Sequence, residues 1–338
     1  MSSITVTGTK VTHPANSTKN SVTLLDSKNG LSSPVFLDTL AQLSTQGAVL
    51  AVDERLLKRA KSKYYTAKIA LPLADLHGTL EKYYRRAYYC CHNLVQVSDT
   101  VTGKYCNSRI CYTCNRIRTA KLINGYETAI RAMQEPRLVT LTFRSVPGAQ
   151  LSVAITGMQN VFRQITVSNR IRNSRKRLET DIVILKGIRK LEVTFNQRKQ
   201  TFHPHFHIIC DGQASAELLV REWLKRFPGR AERKGQDIRP VNEEAILELF
   251  KYSTKLIGSK GKPIPARALD VIMQALHGRR IVQPFGGIRF VSEDVENLRS
   301  DTYQGLPDYD IIEWIWQEHD WINCYAECLT GYMPKESG

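Results

Sequence analysis

Two histidines one residue apart are the first residues in this chain whose spacing suggests chemistry. In His205-Phe206-His207-Ile208, polar and apolar residues alternate. In a strand, residues i and i+2 share a face, so both imidazoles point one way and Phe206 and Ile208 the other. Leu191-Glu192-Val193-Thr194-Phe195-Asn196 repeats the design, with Glu192, Thr194 and Asn196 opposite Leu191, Val193 and Phe195. Leu138–Phe143 does so again, with Thr140 and Thr142 opposite Val139, Leu141 and Phe143. Only Gln197 to Phe202 joins the second strand to the third, which suits an antiparallel hairpin. Any register that keeps the apolar faces together puts Glu192 opposite or diagonal to His205 or His207, about 5–8 Å away. Two imidazoles and a carboxylate at that range can hold one divalent cation and leave coordination positions open. Open positions are what metal-assisted phosphoryl chemistry needs. A bare His-x-His also arises by chance on a wet sheet face; the matched phase of Glu192 weighs against that here. His203 shares the face, but Pro204 is expected to place it at the strand entrance, supporting the site or touching DNA.

A helix expected over Asn242–Leu256 carries Glu248, Lys251, Tyr252 and Lys255. Positions i, i+3, i+4 and i+7 form one stripe, and Asn242 with Glu243 and Glu244 makes a favourable helix start. Lysines beside a tyrosine favour its phenolate and bind phosphate, while Glu248, one turn away, can act as a base toward water. Taken alone, such a stripe is more often an exposed ion-pair face.

Cys106-x4-Cys111-x2-Cys114, with Cys90, Cys91 and His92 some fifteen residues earlier, has the spacing of a closed tetrahedral zinc site. Cys91 is taken as the fourth ligand, though Cys90 or His92 would serve equally. Arg116 and Arg118 follow the cluster and are expected to grip duplex DNA. Cys210, Cys324 and Cys328 read as core thiols.

Together these residues resemble the motifs of HUH-superfamily endonucleases. Val139-Thr140-Leu141-Thr142, then His203-Pro204-His205-Phe206-His207, then Glu248-x-x-Lys251-Tyr252-x-x-Lys255 are most similar to the replication initiators of rolling-circle plasmids with a single catalytic tyrosine. The resemblance covers about Cys90 to Lys260. It implies metal-binding roles for His205 and His207, a nucleophilic Tyr252 forming a 5′-phosphotyrosine, and a Glu248 that helps water end the replication round. Glu192 fits the upstream acidic ligand of related enzymes, with Mg²⁺ or Mn²⁺ at the site. It further implies single-stranded origin DNA with its flanking duplex as partner, host helicase and polymerase as associates, and strand transfer at termination. A transposase or mobilisation relaxase of the same superfamily shares this chemistry. The non-enzyme alternative is a zinc-containing DNA-binding regulator.

The elements that must position these groups give an α+β fold: an antiparallel sheet flanked by helices, with a preceding zinc module and a helical C-terminal region. The 338 residues divide into a Ser/Thr-rich segment (1–50) expected to be disordered, a helical region with the Cys cluster (51–132), the nuclease domain (133–260) and a C-terminal region (261–338) set off by Pro263 and Pro265. Further helices are expected at about Val153–Arg177 and Ala216–Phe227. Tyr83-Tyr84-Arg85-Arg86 suggests base stacking, but paired tyrosines at helical spacing more often pack a helix pair. The formal charge of +16 points to a polyanionic partner. It is unevenly spread, with −9 from Glu293 onward and +25 before it. The acidic tail either competes for the basic surface or is a solvated face. Its Trp314, Trp316 and Trp321 could form a helical anchor for a partner, although burial against the protein's own body is the more usual role. No apolar run reaches the ~20 residues of a membrane span, and no secretory signal is evident, so a cytoplasmic, non-membrane protein is expected.

Overall fold

The computed structural model describes residues 52–97, 100–175, 182–251, 264–295, 311–323 and 326–334. The Ser/Thr-rich segment, Tyr252, Lys255, Pro263 and Cys324 lie outside the described residues.

The fold is α+β. In chain order come α1 (Val52–Ala74), α2 (Glu81–Tyr88), β1 (Asn93–Val97), β2 (Thr100–Gly103), α3 (Tyr112–Arg131), β3 (Pro136–Thr142), α4 (Gly148–Arg175), β4 (Gly187–Asn196) and β5 (Thr201–Asp211). Then follow α5 (Gln213–Arg226), β6 (Asp237–Pro240), α6 (Glu243–Phe250), α7 (Ala266–Leu276), β7 (Val282–Phe285), β8 (Ile311–Ile315) and β9 (Asp320–Ile322). Among the described residues, the strands make two antiparallel sheets, ordered β6-β3-β5-β4-β7 and β2-β1-β8-β9.

The larger sheet is held by its apolar face. Phe206 in the middle strand meets Phe162 of α4 and Trp223 of α5, with ring centroids 5.6 and 5.7 Å apart. Helix α4 buries Leu151, Ile155, Met158, Phe162 and Ile165, a spacing of four and three residues that keeps one stripe on the sheet. Each such side chain contributes roughly 1.5–3 kcal/mol on leaving water. Trp223 also donates its indole N–H to the Thr142 carbonyl, 2.8 Å, pinning α5 to the end of β3. The opposite face carries the polar residues along with the buried Leu138, Ile188 and Ile209, and α6 packs against β4 and β5.

Pro204 does not stop β5. The strand begins at Thr201, and Pro204 lies opposite Val193 of β4, so His203 is inside the strand rather than at its entrance. Pairing with β3 reaches only His205, and beyond it the sole contact on that side is the Val146–Phe202 bridge. A missing N–H is tolerated where the ladder is interrupted.

Among the described residues, the C-terminal region is one helix followed by strands. Strand β7 extends the large sheet beside β4, and β8 pairs with β1, so residues after 260 build both sheets. Trp314 and Trp321 do not lie on a helix: they face each other across the β8–β9 hairpin, both buried, with rings 4.8 Å apart. Tyr84 likewise packs inside, its hydroxyl donating to Asp270 of α7 at 2.6 Å.

Candidate active site and metal centres

The hairpin of β4 and β5 sets the first site. Glu192 stands directly opposite His205, while His207 faces Lys190 on one side and Thr140 on the other. One donor atom from each of Glu192, His205 and His207 lies within 4.8 Å of the others. His207 Nε2 is 3.5 Å from Glu192 Oε2, and His205 Nε2 is 3.9 Å from Oε1. Both imidazoles are buried. His205 Nδ1 lies 3.0 Å from the His203 carbonyl, which fixes its proton there and turns the Nε2 lone pair to the cluster. His207 Nδ1 is 3.4 Å from Thr140 Oγ1 and 3.5 Å from Glu248 Oε1, so its Nε2 is likewise directed inward. Two neutral imidazoles and one carboxylate, oriented from behind by a carbonyl, a hydroxyl and a second carboxylate, are a fitting donor set for a divalent metal. His203 stacks on His205 with ring centroids 5.4 Å apart.

Helix α6 brings Glu248 to this face. Asn242 caps it as its type suggests, its side chain accepting from the Ala245 N–H at 2.9 Å, with Glu243 and Glu244 in the first turn. The helix stops at Phe250, sooner than the expected Leu256, and Lys251 is its extended, exposed C-cap. The four-residue stripe therefore does not continue as helix through Lys251, and Tyr252 and Lys255 lie outside the described residues. Glu248 sits between His207 and Arg239, whose Nη2 donates to Oε2 at 2.5 Å.

Lys190 was not read from the sequence. Its buried ammonium is 3.3 Å from Glu192 Oε2 and donates to the Glu248 and Lys251 carbonyls, each at 2.9 Å. The signal was available, since Lys190 shares the strand phase of Glu192.

The second centre is the cysteine cluster. Cys90, Cys106, Cys111 and Cys114 are all buried, with one sulfur from each inside a 4.8 Å group. The Cys90–Cys114 and Cys106–Cys114 sulfurs are 3.7 and 3.6 Å apart. Four sulfurs at tetrahedral zinc distance would be about 3.8 Å apart, so the set fits zinc. The structure gathers Cys90, not Cys91. Cys91 has a left-handed backbone (φ 50°), its N–H is tied to the Lys104 carbonyl, and its sulfur lies 3.9 Å from that of Cys90, beside the group of four rather than within it. Backbone N–H groups of Cys106, Ser108 and Cys114 donate to the sulfurs of Cys90, Cys106 and Cys111 at 3.4–3.5 Å, a pattern that favours thiolates. Hydrogen bonds from Cys106, Cys114 and Cys90 hold the Cys111 thiol well below its ordinary range. Beside them burial pushes the Lys63 ammonium down to about 8, against the opposing pull of the cysteines.

Arg118 does not present itself to DNA. It is 2% exposed, and its guanidinium donates to the Glu293 and Asn107 carbonyls and to the Asn115 and Asn107 side chains. A fork of donors so engaged holds the Cys module to the segment around Glu293. Arg116 is exposed, with Nη1 donating to the Lys58 carbonyl at 3.2 Å. Cys210 is buried in the core, but Cys328 is exposed rather than a core thiol.

The geometry defines an α+β protein with a buried cluster of four thiols and a sheet face whose Glu192, His205 and His207 could hold a metal. Residues 98–212 match the model of a protein family described as replication protein, a span that includes both histidines and Glu192. The chain is 25% identical over 268 residues to "Protein rep" of Bacillus amyloliquefaciens, covering 64% of this chain and 76% of that one. It is 26% identical over 235 residues to "Protein rep" of Streptococcus pneumoniae serotype 2, covering 59% and 70%. It is 23% identical over 277 residues to "Protein rep" of a Bacillus species, covering 66% and 87%. No solved structure matches. These comparisons support the assignment that the motifs indicated, a replication initiator of rolling-circle plasmids. No helix among the described residues is long and apolar enough to cross a membrane.

Proposed function

We propose that this chain starts rolling-circle plasmid replication in the cytoplasm by nicking single-stranded origin DNA, with Tyr252 as nucleophile. The observation that carries the reading is the Glu192–His205–His207 cluster on the sheet face beside the end of α6, whose next residue but one is Tyr252. These three side chains would hold Mg²⁺ or Mn²⁺. When bound, the ion supplies Lewis-acid charge to a scissile phosphate.

The remaining steps belong to the chain. The Tyr252 phenolic oxygen bonds to phosphorus as the bond from phosphorus to the 3′-oxygen breaks. The phenol's proton goes to water, and the departing 3′-oxygen takes one up. The products are a 5′-phosphotyrosine and a free 3′-OH that primes synthesis by the host polymerase. The covalent link conserves the phosphodiester, so the ends can be rejoined by strand transfer without ATP. Lys251 and Lys255 bind the DNA backbone. Glu248, already at the site, acts as base toward the water that ends the round. Cys90, Cys106, Cys111 and Cys114 would hold zinc as a structural group, and the exposed Arg116 beside them contacts flanking duplex.

The test is a denaturing gel of the protein with Mn²⁺ and labelled single strands from its own replicon. Wild type runs beside Tyr252→Phe and His207→Ala. A protein-linked labelled band that disappears in both variants is the expected result. Nicking that survives Tyr252→Phe refutes the nucleophile. Specific duplex binding without any cleavage makes the protein a regulator instead.

A further inference from the structure

Lys190 has no task in the chemistry above, yet it is among the most enclosed charges in the molecule. Lysine is almost never fully buried unless its charge is partnered. Lys190 is 5% exposed, on the same face of β4 as Glu192 and directly opposite His207. Among the described residues, three oxygens lie close to its Nζ: the Glu248 and Lys251 carbonyls at 2.9 Å and Glu192 Oε2 at 3.3 Å. An ammonium has three donors and no acceptor, so oxygens placed this way are partners that it can serve.

The three oxygens belong to two different parts of the site. The carbonyls close the C-terminal end of α6, where helical carbonyls lack ladder partners and the helix dipole is negative. The helical pattern reaches the Lys251 N–H, bonded to the Leu247 carbonyl at 2.8 Å, and the backbone is extended at that residue. The Lys251 carbonyl is half of the peptide bond to Tyr252. The third oxygen is on the carboxylate that faces both histidines.

We propose that Lys190 is a positioning residue that ties the end of α6, the backbone that leads into Tyr252, to the Glu192–His205–His207 cluster. The inference rests on the nicking function proposed above. It has a second consequence. A cation 3.3 Å from Glu192 competes with a metal ion for that carboxylate, so the same residue that orders the nucleophile weakens metal binding.

The experiment compares the full chain with Lys190→Met, of similar length and no charge, and with Lys190→Arg. Three readouts are taken: amide hydrogen exchange of peptides spanning 243–251 without active-site metal, Mn²⁺ affinity by calorimetry, and the rate of covalent adduct formation at saturating DNA. In Lys190→Met, exchange at the end of α6 is expected to rise about ten-fold as local opening becomes easier. Mn²⁺ binding should be equal or tighter. Adduct formation should slow by about a hundred-fold, the scale of a 1 Å misplacement. Lys190→Arg should restore slow exchange and part of the rate. Unchanged exchange in Lys190→Met overturns the proposal. So does a fall in Mn²⁺ affinity together with Tm, which would make Lys190 a general fold residue. If wild type forms no adduct, the nicking function fails, while exchange and Mn²⁺ affinity still decide on Lys190.

Discussion

The thiol cluster and the Glu–His–His face each gather residues that could hold a metal, but they are assembled in opposite ways. The thiols come from one stretch of chain, Cys90 to Cys114, and all four are buried. Four thiolates can neutralise and enclose a zinc ion, which leaves no position for substrate and makes the metal part of the fold. The other site draws its three residues from the paired strands β4 and β5, and its supports, Thr140, Lys190 and Glu248, from β3, β4 and α6. Two neutral imidazoles and one carboxylate leave charge and coordination positions over. The donor set of one region thus suits a metal that completes the fold, and that of the other a metal left open to an anion.

The contrast breaks most visibly at the thiols. Cys106→Ser should lose zinc, read as metal content, and lower Tm by about 10 °C or more, because a structural metal's binding energy is folding energy. An unchanged Tm with zinc lost would mean that the cluster is not structural. Zinc retained at full stoichiometry would mean that Cys106 is not a ligand.

A smaller effect is expected where the open site is supported from behind. Glu248→Gln removes the carboxylate facing His207 Nδ1 and should weaken Mn²⁺ binding by about ten- to a hundred-fold, with zinc content unchanged. Calorimetry checks this directly. An unaltered Mn²⁺ affinity would restrict Glu248 to chemistry on water.

The mildest distinction is in reactivity toward a thiol reagent. Of the cysteines the structure describes, Cys328 alone is exposed and should be alkylated in the native protein. Cys210 should not be, since burial pushes its thiol up to about 12 and the thiolate is the reactive form. Zinc chelation should open Cys90, Cys106, Cys111 and Cys114 to the reagent; mass mapping of the modified peptides checks this. Labelling of those four in the untreated, metal-loaded protein would contradict a closed site.

The open face was legible because a period of two makes every second residue a statement about direction. Glu192, His205 and His207 could therefore be brought together before any coordinates, and the structure sets Glu192 opposite His205. The choice between Cys90 and Cys91 was not legible, since adjacent residues differ only by a backbone angle, and the left-handed turn at Cys91 has no glycine to announce it. Arg118 looked like a DNA contact because charge next to a metal motif carries no sign of its depth. Its partners Asn107 and Glu293 are 11 and 175 residues away. The end of α6 at Phe250 was hidden for a similar reason: no glycine or proline marks it, and Lys190, which donates to carbonyls at that end, comes from a distant strand. For Trp314 and Trp321 burial, the more usual role, holds, whereas the helix suggested by their spacing of seven does not: they are opposed across a hairpin whose turn carries His319 at positive φ.

The pairing of β8 with β1 has a consequence for the order in which the protein is made. Leu94 lies against Ile312, and the Trp321 indole donates to the Cys91 carbonyl at 2.9 Å, a separation of 230 residues. During synthesis the large sheet through β7 is available before residue 311 leaves the ribosome, whereas β1 still has a bare edge beside the thiols. The module that stands earlier in the chain therefore closes later, and its early sheet edge must wait, unpaired, through most of translation. Loop closure over that distance is slow, and exposed edges are where chains meet their neighbours. A prematurely terminated chain lacking the last thirty or so residues would carry the whole Glu–His–His face yet leave the sheet beside the cysteines open to association.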